Sequence, residues 1–240
     1  MASPQKTSKL KTKAKHQGPN LTAQERIRRE LLSWFWVILA FFIIEAMVIQ
    51  ARVIPSASME NTILIGDHLI VALLGYDIGI PFTEHHIALW RNPKRQQIIV
   101  FEAPPQAANE EDFIKRVIGM PGDTVEVKRG VVFINGKKLN EPYLDPLPDP
   151  SAPQENTGPF HVPPGQFFVM GDNRDDSNDS RFWGFVPREN IIGTPLFIYM
   201  SVKAPEEVWE PGHIGERLGT YLLILIHPSE MRWRRLFRTF

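Results

Sequence analysis

The run Leu31 to Ile49, LLSWFWVILAFFIIEAMVI, constrains everything else in this chain of 240 residues. Its 19 residues carry one charge, Glu45, and reach the length that a hydrocarbon core of about 30 Å demands of a helix. Apolar side chains would cover every side of that helix, which is not the stripe of an ordinary surface helix. A buried soluble helix and a cleavable signal peptide are the alternatives, and the stretch exceeds a typical signal-peptide core. Upstream, Thr22-Ala-Gln-Glu25 has the form of a capping box, and Pro55 offers a stop. These signals predict a helix from about residue 23 to the low fifties, with residues 31–50 crossing a membrane. The first thirty residues hold Lys6, Lys9, Lys11, Lys13, Lys15, Arg26, Arg28 and Arg29 against Glu25 and Glu30. By the positive-inside rule this basic tail, residues 1–30, is cytoplasmic. Residues 51–240 then form a domain on the outer face of an inner or plasma membrane, tethered by a single pass.

Beyond the anchor the sequence reads as mainly β. Ile98 to Phe101, Val131 to Ile134, Phe167 to Met170, Ile191 to Thr194 and Leu196 to Met200 are short apolar runs, and Asn135-Gly136 after the second marks a tight hairpin. Eight prolines between Glu141 and Gly165 argue against regular structure there. That stretch is expected to form a surface excursion dividing a main core from a second lobe. The C-terminal MRWRRLFRTF mixes arginines with Trp233, Phe237 and Phe240. It suits an anionic lipid interface, or equally a solvated helix with one packed face.

The absence of cysteine removes a disulfide framework, a thiolate metal site and a cysteine nucleophile together. Attention falls on PSASM, residues 55–59, where two serines follow a proline just after the apolar run. If one is a nucleophile it needs a base, and if neither is, the segment is only a turn. None of the seven histidines sits in a context that suggests a triad. His85-His86 lacks neighbouring carboxylates at metal-ligand spacing, so no metal is expected. A lysine serves as base only in an apolar setting that disfavours the ammonium. Asp112 to Gly119, DFIKRVIG, offers a candidate: as a strand it puts Lys115 on a face with Phe113 and Val117, and Arg116 on the other with Ile114 and Ile118, although taken alone a lysine in a strand is an ordinary surface charge. A third unusual stretch is GDNRDDSNDSRFWGFVP, residues 171–187. Its aspartates suggest a calcium loop, but Ser180 and Val186 stand where an EF-hand requires Gly and Glu. A hydrogen-bonded scaffold that braces a buried amine is the better reading.

The order of apolar helix, PSASM, FIKRVIGMPGDTV and GDNRDDSNDSRFWGFVP resembles the type I signal peptidases, the membrane-anchored leader peptidases that remove signal peptides from exported proteins. The resemblance runs from about residue 31 to 200. It implies an antiparallel β-sheet or partial-barrel catalytic domain behind a transmembrane helix. It also implies Ser58 as nucleophile and Lys115 as general base, with Ser56 joining the Ser58 N–H in the oxyanion hole. Ser177 would orient the lysine, with Asp179 and Arg181 as a supporting pair. Ile54, Pro55, Met59, Phe113 and Ile114 would contact the substrate, a preprotein segment with small residues before the cut, typically Ala-x-Ala. No cofactor and no nucleic acid is implied, and the lipid bilayer is the other expected partner.

Three positions depart from the family pattern. Asn61 stands where a proline is usual, Arg95-Gln96-Gln97 replaces RGD, and Arg52 replaces an apolar or aromatic residue of the outer substrate pocket. The first two bear on local turn geometry, and the third on preference at the third residue before the cut. Two other function classes share some features. A self-cleaving Ser-Lys repressor would carry a DNA-binding unit where this chain has its apolar run, and a catalytically dead binding protein would have lost the serines and lysine that are present here.

Overall fold

The computed structural model of the chain describes residues 22–79, 86–107, 112–144, 156–209 and 212–240. Thr22 opens the first helix as a capping box does. Its backbone N–H donates to Glu25 Oε2 at 2.8 Å, and the Glu25 N–H donates back to Thr22 Oγ1 at 3.3 Å. Two donors that a helix start leaves open are thereby satisfied. Helix α1 runs Ala23–Met47, 25 residues. Its most apolar stretch has no buried residue, and Trp34, Phe35, Trp36, Val37, Ile38 and Phe41 are each more than half exposed. The helix ends before the predicted low fifties, because Ile49–Val53 forms strand β1. Antiparallel pairing with β2 (Asp67–Ala72), from Ile49 opposite Ala72 to Val53 opposite His68, replaces the helical hydrogen bonds. Pro55 thus follows a strand, and the apolar run that looks continuous in sequence is divided between a helix and a sheet edge.

The remaining strands are β3 (Asp77–Gly79), β4 (His86–Ala88), β5 (Ile98–Glu102), β6 (Asp112–Gly119), β7 (Thr124–Lys128) and β8 (Val131–Ile134). They continue with β9 (Lys137–Lys138), β10 (Thr157–His161), β11 (Gln166–Met170), β12 (Val186–Pro187) and β13 (Ile191–Ser201). A one-turn helix α2 (Ser180–Trp183) precedes β12, and α3 (Ile214–Ile226) follows β13. Seven strands form one sheet in the order β1-β2-β13-β5-β6-β11-β12, and four form another, β10-β7-β8-β9. The two apolar runs on either side of Pro195 are one strand, because the register with β2 slips between Pro195 and Phe197 and accommodates the missing N–H. The Asn135-Gly136 turn joins β8 to β9 with φ of 52° and 77°, as a type I′ hairpin requires.

The end of the proline-rich stretch is regular, contrary to expectation. Residues 145–155 lie outside the described residues, but Thr157–His161 pairs with β7 as an edge strand. Phe160 brings its ring 5.0 Å from Phe168, and Val162 is buried. An edge position tolerates Pro159 because no inner ladder bond is lost. The stretch returns into the second sheet, so it does not divide two lobes.

Strand β6 serves three buried clusters at once. Ile114 packs with Met59, Ile63 and Leu69, Val117 packs with Ile99, Phe101 and Trp183, and Ile118 packs with Val125, Val132 and Phe168. A strand held on both faces has little freedom to shift, and Lys115 lies in its middle. The C-terminal segment is not a helix either. It makes a 3₁₀ turn at Trp233–Arg235 and runs back beside β13, through bridges from Met231 to Val202 and from Thr239 to Phe197. Arg235 Nη2 anchors it 2.6 Å from Oδ2 of the fully buried Asp67.

Candidate active site

Past β1 the chain closes on itself. The Glu60 N–H donates to Ala57 O and the Ile63 N–H to Met59 O, both at 2.8 Å. Asn61 holds φ of 83° inside this turn. Asparagine tolerates that left-handed conformation, whereas proline, fixed near −65°, could not hold this turn as it stands. Met59 is fully buried among Ile54, Ile63 and Ile114, and its sulfur accepts the Asp172 N–H at 3.4 Å. Met59 is not among the residues that line the cleft. The apolar thioether is drawn into the core, which pins the turn and leaves Ser58 at the surface of the cleft.

Lys115 reaches that serine from β6, with Nζ 2.6 Å from Ser58 Oγ. The lysine is 4% exposed, and its Nζ lies 5.2 Å from the centre of the Phe113 ring. Burial pushes its amine from the ordinary 10.5 down to about 8, the largest influence. Asp179 pulls it back up, the Arg181 charge pushes it further down, and Asp172 pulls it up. Ser56 Oγ stands 3.4 Å from Ser58 Oγ.

The loop after β11 ties these two segments together. Asn173 N–H donates to Ser58 O at 3.1 Å, and its side-chain amide donates to Ala57 O at 3.2 Å. Asp172 accepts the Thr62 hydroxyl at 2.5 Å and receives Arg116 in a fork, Nε to Oδ1 at 2.8 Å and Nη2 to Oδ2 at 2.6 Å. Arg116 also donates to Gln96 O at 2.7 Å and stacks its guanidinium 3.8 Å from the centre of the Tyr143 ring. The residue next to the lysine therefore clamps the loop that holds the serine turn. Sequence reasoning missed Arg116, Asp172, Thr62 and Asn173 in these roles. The available signal was an arginine inside a strand buried on both faces, which requires an acid partner.

Asp179 and Arg181 form the expected pair, Nε to Oδ1 at 2.8 Å and Nη2 to Oδ2 at 2.9 Å. Asp179 also accepts the Gly171 N–H at 3.0 Å and caps α2. Ser177 is buried, but among the described residues its hydroxyl has no hydrogen-bond partner, so the expected bond to Lys115 is not formed. It packs instead on Gly171, where a Cβ would stand 2.3 Å from Ser177 Oγ and 2.4 Å from Ser58 O.

A cleft of about 750 Å³ opens over Ser58 and Lys115. Ile54, Pro55 and Ser56 line it from the β1 side, Phe113 and Ile114 from β6, and Trp209 and Arg217 from the C-terminal region. Arg52 Nη1 lies 2.7 Å from Asp112 Oδ2, and both residues line the cleft. Two backbone edges border it. Strand β1 ends the sheet, and β11 pairs with β6 from Arg116 onward, leaving Asp112 to Lys115 without a strand on that side among the described residues. Among the described residues no group of three or more His, Asp or Glu side chains is arranged to hold a metal ion, and His85 lies outside them.

The profile of the family described as "Signal peptidase, peptidase S26" matches residues 27–200. The chain is 44% identical over 162 residues to a probable signal peptidase I-2 of Synechocystis sp., covering 66% of this chain and 66% of that protein. It is 41% identical over 174 residues to a signal peptidase I of Leptolyngbya laminosa, covering 70% and 77%. A solved signal peptidase I from Enterococcus faecalis is 34% identical, covering 43% of this chain and 97% of that chain at a TM-score of 0.38.

Proposed function

This chain belongs to the signal peptidase family, peptidase S26, and from that premise we propose that it is a membrane-anchored serine endopeptidase that removes signal peptides from exported preproteins through a Ser58–Lys115 dyad. The observation that carries the dyad is the 2.6 Å approach of Lys115 Nζ to Ser58 Oγ, by an amine whose burial brings it to about 8. The neutral Nζ takes the Ser58 proton, and Oγ attacks the scissile carbonyl carbon. Ser56 Oγ–H and the Ser58 N–H stabilise the tetrahedral oxyanion, and the ammonium returns its proton to the leaving amine. Water, deprotonated by the same Nζ, then releases the acyl group. The peptide enters as an added strand between β1 and the first half of β6, with its small residues beside Ile54, Phe113 and Ile114. Helix α1 is the anchor, the basic tail stays cytoplasmic, and the domain from residue 51 onward works on the outer face.

Cleavage of a purified preprotein by the full chain and by Ser58→Ala tests the chemistry, together with mass analysis of an acylating inhibitor adduct. The reading expects no cleavage and no adduct in the variant, and full turnover by Ser58→Ala would refute it. Orientation is tested by adding protease to intact spheroplasts. The 141–165 stretch should be cut and the Lys6 to Lys15 tail spared, and the reverse pattern would invert the topology.

A further inference from the structure

Helix α3 carries its polarity inside out. Ile214, Leu218, Leu222 and Leu225 recur at helical spacing on one face and are 65%, 57%, 64% and 78% exposed. Leu223 and Ile226, at 55% and 71%, widen that face. The side turned toward the protein holds the polar groups. Arg217 Nη2 donates to Trp209 O at 2.8 Å, and Tyr221 Oη lies 2.8 Å from Nε2 of the buried His68. A helix facing water places such groups the other way round. Hydrogen bonds hold this helix down while six large aliphatic side chains stay uncovered. A contiguous face of that kind marks a contact surface.

The face continues into the C-terminal segment with a change of chemistry. The Trp233 indole donates to Pro228 O at 2.9 Å, which sets the ring beside the end of α3. Trp233, Arg234, Phe237, Arg238 and Phe240 are all exposed, and among the described residues Arg234 and Arg238 form no ion pair. The exposed acids nearby are Glu216, 3.3 Å from His213 Nδ1, Glu230, and Glu206 and Glu207 on the turn that ends at Trp209. We propose that α3 and the segment after it bind an anionic lipid surface. The helix lies in the interfacial plane with the Ile214, Leu218, Leu222 and Leu225 face among the acyl chains and Arg234 and Arg238 on the phosphates. Thirteen residues extend about 20 Å as a helix, too short to span a bilayer and long enough to lie on one. A second copy of the chain fits less well, since two such faces would bring their uncompensated arginines together. This contact is separate from α1 and does not depend on the proposed chemistry.

The absence of cysteine makes the test direct. Leu222→Cys and, as a control in the β8–β9 hairpin, Lys137→Cys are each labelled with a polarity-sensitive fluorophore in the full chain and reconstituted into vesicles. In vesicles containing phosphatidylglycerol the label at 222 should be quenched by nitroxide lipids and shielded from aqueous iodide, with the opposite pattern at 137. Shielding at 222 should weaken severalfold in pure phosphatidylcholine, and likewise in an Arg234→Gln, Arg238→Gln background. Equal iodide access at both positions would overturn the proposal. So would shielding that vanishes as the protein is diluted into more lipid, the mark of a second copy. Equal insertion into pure phosphatidylcholine would refute the recognition of anionic headgroups.

Discussion

The protonation of Lys115 yields the sharpest prediction. A lysine at its ordinary 10.5 holds about 0.03% free amine at pH 7, whereas one at about 8 holds about 10%, roughly a 300-fold gain in usable base. Below about pH 7 the rate constant kcat/KM should therefore rise nearly tenfold per pH unit, then level off above about pH 8. In a Ser-Lys pair this limb belongs to the dyad as a unit. The same displacement acts on stability. An unfolded lysine keeps its proton to about 10.4, and the folded one releases it near 8, so the folded state gains stability as pH rises between those values. The gain amounts to about 3 kcal/mol, absent at pH 7. Lys115→Met should accordingly be inactive yet more resistant to urea than the parent at pH 7, with the gap closing toward pH 10. Lys115→Arg should be inactive at every pH, because guanidinium keeps its proton. The assay is cleavage of a preprotein across the pH range, paired with urea unfolding of the same proteins. A flat profile between about pH 6 and 9, or a limb near 10.5, would refute the reasoning.

Ser56→Ala should lose roughly 10²- to 10³-fold in kcat with KM and melting temperature retained, as deletion of one oxyanion donor does. Asn61→Pro should destabilise by more than about 1 kcal/mol in thermal melts because φ of 83° is closed to proline, while Asn61→Gly should stay within a few tenths. Gly171→Ala should remove most of kcat in steady-state assays, since its Cβ would collide with Ser58 O and Ser177 Oγ. Arg116→Met should cost about 3–5 kcal/mol in urea unfolding by leaving Asp172 buried and unpaired. Adding Asp172→Asn should recover part of that loss.

The parts of the site that were legible in the sequence are those carried by local pattern. PSASM and the alternating FIKRVIG strand offer a serine and a lysine as candidates, the family resemblance picks out Ser58 and Lys115, and the structure brings these two within 2.6 Å. What stayed hidden depends on partners far along the chain. Arg116 and Asp172 stand 56 residues apart, and nothing local in either segment names the other. Met59 adjoins the serine, but adjacency does not say which side of a turn faces the core. The helix end at Met47 is set by pairing with β2, a tertiary event that overrides continuous apolarity. The C-terminal arginines and aromatics read as a helix or a lipid contact, whereas the backbone there is fixed by Asp67 and by the edge of β13.

The strand order carries a temporal meaning. Ser58 lies between β1 and β2, and Lys115 sits on β6 beside β5, but β2 and β5 are not neighbours: β13, residues 191–201, stands between them. A ribosome that has translated the chain through β6 has already made both Ser58 and Lys115 without the strand that joins their halves of the sheet. Contacts of such long sequence separation form late in folding. A chain interrupted before Ile191 holds its serine turn and its lysine strand together through the 171–174 loop and the Met59–Ile114 core, but lacks the strand that hydrogen-bonds β2 to the β5–β6 half of the sheet.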